Sequence, residues 1–228
     1  MPELNKLYLM DCMDGMRQFP DGYFDLAIVD PVYGDVTGGG YTTAKWDKQS
    51  HHIGTGSGNQ IAYNRELFRQ PKTTAAYFQE LFRVSKNQII WGGNYFAKEI
   101  GKDSQCWIVW DKQHQADRTF ADCELAFTSF NAASRIFRYV WDGMIQQNMK
   151  ERENRIHPTQ KPVALYKWLL TKYAKEGDKI LDTHVGSASS LIACHDLHFD
   201  FVGFEIDETY YKAAIERMEQ HFAQYTLF

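Results

Sequence analysis

The sequence predicts an α/β fold, a mostly parallel central sheet with helices on both faces. Three observations support this. Short, nearly continuous apolar runs (FDLAIVD, NQIIWG, CWIVWD, KILD and DFVGFEID) have the length and fullness of strands buried on both sides. Amphipathic helical stretches stand between many of them, and such alternation builds parallel sheets. With 44% hydrophobic and 24% charged residues in 228, the chain has the composition of one globular domain, neither disordered nor fibrous.

Along the chain, LYLMD reads as a short buried strand and Cys12 to Phe19 as a helix with Met13 and Met16 on one face. FDLAIVD, bounded by Gly22 and ending at Asp30-Pro31, is the next strand. Gly34 to Gln60 is polar and holds seven glycines, too many for a regular element. A loop that long in a compact domain is a functional lid or is disordered, so residues 30–62 are expected to form a mobile lid. Thr73 to Phe82 is helical, and NQIIWG, CWIVWD and ELAFTSF are strands. RIFRYVW sets Ile136, Phe137 and Tyr139 among Arg135 and Arg138 and reads as one more strand, after which Asp142 to His157 is polar and irregular. Pro162 opens an amphipathic helix with Tyr166, Leu169, Leu170 and Tyr173 on one side. KILD, a Gly/Ser turn and a helix from about Ser189 to His195 follow. DFVGFEID is a strand ending in two acids, and Asp207 caps a last helix carrying Tyr211, Ile215, Met218 and Phe222. The C-terminal half supplies only two β-α units, so the LYLMD strand is expected to complete the same sheet, giving one domain over 1–228.

The net charge is −4, which argues against a nucleic-acid partner until its distribution is considered. Lys112 to Lys175 carries 11 Lys and Arg against 6 Asp and Glu, a local +5 that leaves −9 for the remainder. Such asymmetry gives one face a field that attracts phosphate. Arg135, Arg138, Lys150, Arg152 and Arg155 are the phosphate candidates, with a solvated basic face as the plain alternative. No apolar run approaches the roughly 18 residues of a membrane span, and the MPELNKLYLMD start lacks a signal-peptide layout. Four cysteines without a CxxC pair fit a reduced, cytoplasmic protein. Cys194, His195 and His198 have ligand-like spacing, but zinc needs four ligands and no second cluster exists, so no metal is expected.

Three segments carry chemistry. Asp30-Pro31-Val32-Tyr33 follows a buried strand, at the end where open α/β sheets place ligands. Pro31 fixes its own φ and pushes Asp30 toward an extended conformation, which can aim a carboxylate and a nearby carbonyl at one NH₂ group beside the Tyr33 ring. A simple Asp-Pro turn is the alternative. ILDTHVGSASS, residues 180–190, joins strand, acid, Gly/Ser turn and helix, so Gly186 lets the backbone approach a ligand near free helix N–H groups. Position 188 is Ala and no Walker motif exists, which disfavours pyrophosphate and triphosphate ligands. Glu205, about 20 residues on, can accept both hydroxyls of a ribose. A tight turn with a solvated acid is the alternative. The third segment is His157-Pro158-Thr159-Gln160-Lys161-Pro162, a stiff stretch with several donors that is otherwise a helix lead-in.

Together these segments resemble the amino-methyltransferases that modify DNA, the N6-adenine and N4-cytosine enzymes that use S-adenosyl-L-methionine. Asp30-Pro31-Val32-Tyr33 resembles the family's D/S/N-P-P-Y/F/W catalytic loop in its adenine-type form, and HPTQKP at 157–162 resembles the element before the cofactor strand. LDTHVGSASS at 181–190 is similar to the LDPFxGSGT cofactor turn, and Asp11-Cys12 to the N-terminal contact with the cofactor's adenine. The catalytic motif precedes the cofactor motif, as in the permuted, beta-type order.

The resemblance spans Asp11 to about Phe222 and implies a Rossmann-like methyltransferase domain. It implies catalytic roles for Asp30, Pro31 and Tyr33. It also implies cofactor contacts from Asp11, Cys12, Asp30, Thr159, Lys161, Asp182, His184, Gly186, Ser187, Ser189, Glu205 and Ile206. The implied partner is double-stranded DNA, with adenine N6 of a flipped-out base as target, and a homodimer is compatible with it. N4-cytosine or RNA methylation on the same scaffold, or a catalytically silent DNA-binding homologue, are the alternatives. A C5-cytosine mechanism needs a nucleophilic Cys, which in the related C5 enzymes follows Pro; here Asp11, Gln105, Asp122 and Ala193 precede the cysteines.

Three positions depart from the family pattern. Val32 replaces the second proline, His184 the Phe and Ala188 the second Gly, which puts efficiency in question. The region left to read DNA is small, with 131–157, the His114–Asp117 neighbourhood and the Gly-rich loop available.

Overall fold

A computed structural model describes residues 1–34, 71–113, 121–142, 145–150 and 152–225. Strand β1 (Lys6–Leu9) leads through helix α1 (Cys12–Met16) to β2 (Phe24–Val29). Helix α2 (Ala75–Val84), β3 (Ser85–Trp91), the short α3 (Ala97–Ile100), β4 (Ile108–Asp111), β5 (Cys123–Thr128) and β6 (Arg135–Arg138) follow. A small ladder, β7 (Trp141–Asp142) with β8 (Ile145–Gln146), precedes α4 (Val163–Tyr173), β9 (Lys179–Asp182), α5 (Ser189–Asp196), β10 (Asp200–Glu205) and α6 (Glu208–Tyr225).

Among the described residues eight strands form one sheet in the order β1-β10-β9-β2-β3-β5-β4-β6. Only β5 runs against the others, pairing antiparallel with both β3 and β4. The parallel-dominated sheet expected from the apolar runs is therefore present, and β1 completes it beside β10 as the count of β-α units required. Alternate residues of the central strands serve two cores. Leu26, Ile28, Ile89 and Ile180 face Leu165, Leu169 and Leu191 of α4 and α5. Ala27, Val29, Ile90 and Leu181 face Met16, Phe78 and Leu81 of α1 and α2. Each such aliphatic side chain contributes roughly 1.5–3 kcal/mol when fully buried, so the two helical layers are held by the pleat of one sheet. Trp91, Trp110 and Trp141 are buried in the first of these cores.

Two expectations need correction. RIFRYVW is not one strand. Trp141 turns into the core, its indole N–H donating to the Gln160 carbonyl at 2.8 Å, and pairing passes to the β7–β8 ladder. The stretch 142–157 accordingly begins with that ladder. The first helix is also shorter than Cys12–Phe19, ending at Met16. Residues 35–62 of the expected lid, and His114–Asp117, lie outside the described residues.

The chain passes from β2 to β3 in one direction across the sheet and from β9 to β10 in the other. The order reverses between β2 and β9, where Leu26 pairs with Ile180. Open parallel sheets bind ligands outside the carboxyl ends of strands at such a reversal, and Asp30 and Asp182 stand there.

Candidate active site

The segment after β2 is fixed from two sides. The Val32 carbonyl accepts both the backbone N–H and the hydroxyl of Thr73, each at 3.1 Å. The Tyr33 ring occupies the space that a Cβ at Gly92 would need, and Gly92 has φ +66°, so only glycine suits this position. Tyr95 and Phe96 complete the ring's surroundings, with centroids 5.2 and 5.7 Å away. The Tyr33 hydroxyl donates to Asp30 Oδ1 at 2.5 Å.

The other Asp30 oxygen meets Lys161 from the segment before α4. Lys161 Nζ lies 2.5 Å from Asp30 Oδ2 and 3.0 Å from Glu124 Oε2, while Glu124 Oε1 meets Lys112 Nζ at 2.6 Å. Only 3% of the Lys161 side chain is exposed. Burial alone would lower the Lys161 pKa, but Asp30 and Glu124 outweigh it and raise it. Burial likewise works against the Glu124 carboxylate, yet Lys161 and Lys112 hold its pKa down to about 2. Two cations and two anions thus form a line across β2, β4, β5 and the lead-in to α4, and each charge has a partner.

Beside this line lies the turn after β9. Asp182 is buried and accepts from the Ser190 hydroxyl at 2.5 Å and from the His184 N–H at 3.0 Å. Burial nevertheless pushes its carboxyl up to about 7. Gly186, at φ +53°, donates its N–H to Glu205 Oε2 at 2.8 Å, and Glu205 Oε1 accepts the Asp207 N–H at 2.9 Å. Burial raises the Glu205 pKa as well. On either side of Glu205, at the ends of β1 and β10, Leu9 is 45% and Ile206 56% exposed. Buried donors and acids thus stand at the ends of β9 and β10, with exposed apolar Leu9 and Ile206 nearby.

The family model described as DNA methylase, of the N6/N4 methyltransferases, matches residues 41–216. The chain belongs to this family of DNA methylases. Among curated relatives, the type II methyltransferase M.HpaI of Haemophilus parainfluenzae is 39% identical over 66 residues. That stretch is 29% of this chain and only 21% of the relative. Among solved structures, the M1.HpyAVI–SAM complex aligns with a TM-score of 0.59 at 18% identity, covering 93% of this chain and 98% of that one. The cytosine-N4-specific PvuII DNA methyltransferase aligns at 0.58 and 10% identity, covering 96% and 91%. These two structures share this chain's fold.

The departures from the family pattern have local accommodations in this chain. Where Val32 replaces the second proline, Thr73 restrains the backbone through its two bonds to the Val32 carbonyl. His184 replaces a Phe, and burial lowers its pKa to about 4, so it is a neutral ring at pH 7. Thr183 bonds its Nδ1 at 2.9 Å, and Tyr77 stands edge-on at 5.4 Å. Ala188 adopts the left-handed conformation, φ +61°, that a glycine would take at lower cost, with its methyl group fully buried.

The remaining sequence-selected residues are distributed as follows. Asp11 caps α1, accepting the N–H groups of Met13 and Asp14, and burial pushes the Cys12 thiol up to about 12, leaving it a neutral apolar group. Thr159 bonds His157 Nδ1 at 3.1 Å, and the His157 ring packs on Tyr210 at 4.4 Å. Ser187 and Ser189 pair at 3.1 Å, and Arg217 of α6 bonds the Ser187 carbonyl, the Ser189 hydroxyl and Glu153. Arg135 and Arg138 lie on β6 at the sheet edge, with Arg138 3.4 Å from Asp111. Lys150 and Arg152 are exposed after β8, whereas the Arg155 guanidinium lies over the Trp141 ring at 4.8 Å.

Sequence reasoning missed Glu124, Lys112 and Arg217. Glu124 leaves one local signal, an acid opening an otherwise apolar strand. Lys112 and Arg217 leave none.

Proposed function

We propose that the chain is an S-adenosyl-L-methionine-dependent DNA methyltransferase that modifies adenine N6. The carrying observation is the Asp30 carboxylate at the sheet's reversal point, held by Tyr33 and Lys161 beside the Gly186–Glu205 turn. That turn fits the cofactor. Each Glu205 oxygen takes one backbone N–H and keeps a lone pair for a ribose hydroxyl, Gly186 takes its positive φ without strain beside the His157 ring, and Leu9 and Ile206 offer apolar faces to a purine. When bound, the cofactor supplies an electrophilic methyl group on a cationic sulfur.

The chain's own residues present the amine to that methyl. A base must leave the helical stack to reach Asp30. Each Asp30 oxygen is already engaged once and retains acceptor capacity for an amine hydrogen. The Val32 carbonyl is occupied by Thr73, which favours the Pro31 carbonyl as the second acceptor. Catalysis then consists of positioning and of stabilising the positive charge that develops on nitrogen. Lys150, Arg152, Arg135 and Arg138 supply phosphate contacts in this reading, with 131–157 reading the target.

Asp rather than Ser at the first motif position favours adenine, since a carboxylate is the stronger acceptor for a developing cation. The fold shared with the N4-specific PvuII enzyme supports the second reading, N4-cytosine methylation. Expression in a host free of DNA methylation, followed by digestion to nucleosides and mass spectrometry, decides between them. N6-methyladenine is expected, and N4-methylcytosine as the main product would overturn the assignment.

Asp182 makes cofactor binding pH-dependent. A cationic ligand beside a carboxyl with a pKa of about 7 favours its ionised form. Affinity is therefore expected to rise with pH by up to about tenfold per unit below that value and to level off above it. In the free protein the sign is opposite. The fold favours protonated Asp182, so a destabilising contribution grows between pH 3.8 and about 7. Calorimetric titrations at pH 6 and 8, in buffers of different ionisation heat, check the first expectation. A flat profile without proton release would remove Asp182 from the cofactor's field.

A further inference from the structure

We infer that Glu124 is a positioning residue for Asp30, acting through Lys161 with Lys112 as its counter-ion. The inference rests on the reading of Asp30 as the acceptor of the target amine.

Lys161 is almost completely buried, and its ammonium group bridges Asp30 and Glu124 while lying over the Trp91 ring at 5.4 Å. The two carboxylates are anchored differently. Asp30 belongs to the segment that leaves β2. Glu124 lies inside the sheet, on β5, where it pairs in register with Trp110 of β4 and is flanked by pairs on either side. A residue paired within a strand ladder, with further pairs before and after it, moves less than a segment that has left its strand, so the ammonium takes its position from Glu124 and imposes it on Asp30. Lys112 follows β4 directly and neutralises Glu124 from the far side.

Without the Glu124 charge, Lys161 retains one full counter-ion, Asp30, and closes on it. The ammonium then competes with an incoming amine for Asp30 Oδ2, and the carboxylate turns away from its productive angle. A loss of this kind acts on the chemical step and leaves cofactor and DNA binding in place. Nothing in the apolar spacing of β5 requires an acid at 124, whose side chain remains about three-quarters buried with 26% exposure.

The test measures steady-state methyl transfer from tritiated S-adenosylmethionine to unmethylated genomic DNA, for the wild type and for Glu124→Gln, Lys161→Met, Lys161→Arg and the double variant Glu124→Gln/Lys161→Met. Gln preserves shape and an acceptor oxygen and removes only the charge. Misplacing an acceptor by a fraction of an ångström to an ångström costs about tenfold to a hundredfold, so Glu124→Gln is expected to lower kcat by about tenfold with both KM values nearly unchanged. Lys161→Met lowers kcat at least as far, and Lys161→Arg recovers part of the loss. The double variant is no worse than Lys161→Met alone, because residues acting through one another are not additive.

Wild-type kcat in Glu124→Gln, additive losses in the double variant, or a matching rise in the cofactor KM for Lys161→Met would each overturn the inference. The last result would make Lys161 the cofactor contact that the sequence motif implies. A wild-type chain that transfers no methyl group overturns the proposed function itself, whereas an active wild type with an unaffected Glu124→Gln overturns only this inference. Should Glu124→Gln melt below the assay temperature, Lys112→Gln, at the outer end of the same line, replaces it with the same expected fall in kcat and unchanged KM.

Discussion

Replacing Asp30 with alanine is expected to lower methyl transfer by about a thousandfold, the scale seen when one preorganised group facing a developing charge is deleted. Cofactor affinity should remain largely intact, because the proposed ribose acceptor, Glu205, and the Gly186 turn belong to other strands. Asp30 joins two roles in one carboxylate, anchoring Tyr33 and Lys161 and retaining acceptor capacity on each oxygen. The alanine variant leaves Lys161 with Glu124 as its remaining carboxylate partner, so the buried ammonium is still neutralised and the chain should fold. Asp30→Asn separates charge from hydrogen bonding. If the charge matters most, Asn behaves nearly as badly as Ala. Tritium transfer together with calorimetric cofactor titration measures both quantities, and normal turnover in the alanine variant would remove Asp30 from the mechanism.

The second large effect is expected on binding. Glu205→Ala removes a charge-assisted acceptor worth roughly 1.5–3 kcal/mol, so S-adenosylmethionine affinity should fall between about tenfold and a hundredfold. The same carboxylate also accepts the N–H groups of Gly186 and Asp207, and their loss loosens the turn itself. Glu205→Gln keeps the side chain's shape and one acceptor oxygen, and its smaller loss would isolate the ionic part. An unchanged dissociation constant in the alanine variant would place the ribose elsewhere.

The places of these two residues are both legible in the sequence. Glu205 follows a fully apolar run and precedes Asp207, which caps a helix, so its place at a strand end is written in neighbouring residues. Asp30 is equally visible, between a buried strand and a proline. Gly186 stands in a turn between the KILD strand and a helix, and its positive φ follows from that local order. Lys161 is a different case. Its motif pointed to the cofactor, whereas its nearest anion is Asp30, 131 positions away.

The sequence by itself determined the alternation of strands and helices, the two-faced burial of the central strands and the residues that end them, because apolar periodicity and strand-end chemistry are local properties. Only the tertiary structure decided that β5 inserts antiparallel between β3 and β4, which is what brings Glu124 and Lys112 to Lys161. Strand order depends on pairing between segments far apart in the chain, where a run such as ELAFTSF fits a parallel or an antiparallel neighbour equally well. The ion line across the site is a consequence of that order and of burial. The charges in it exclude water and neutralise one another only after the strands have been placed side by side.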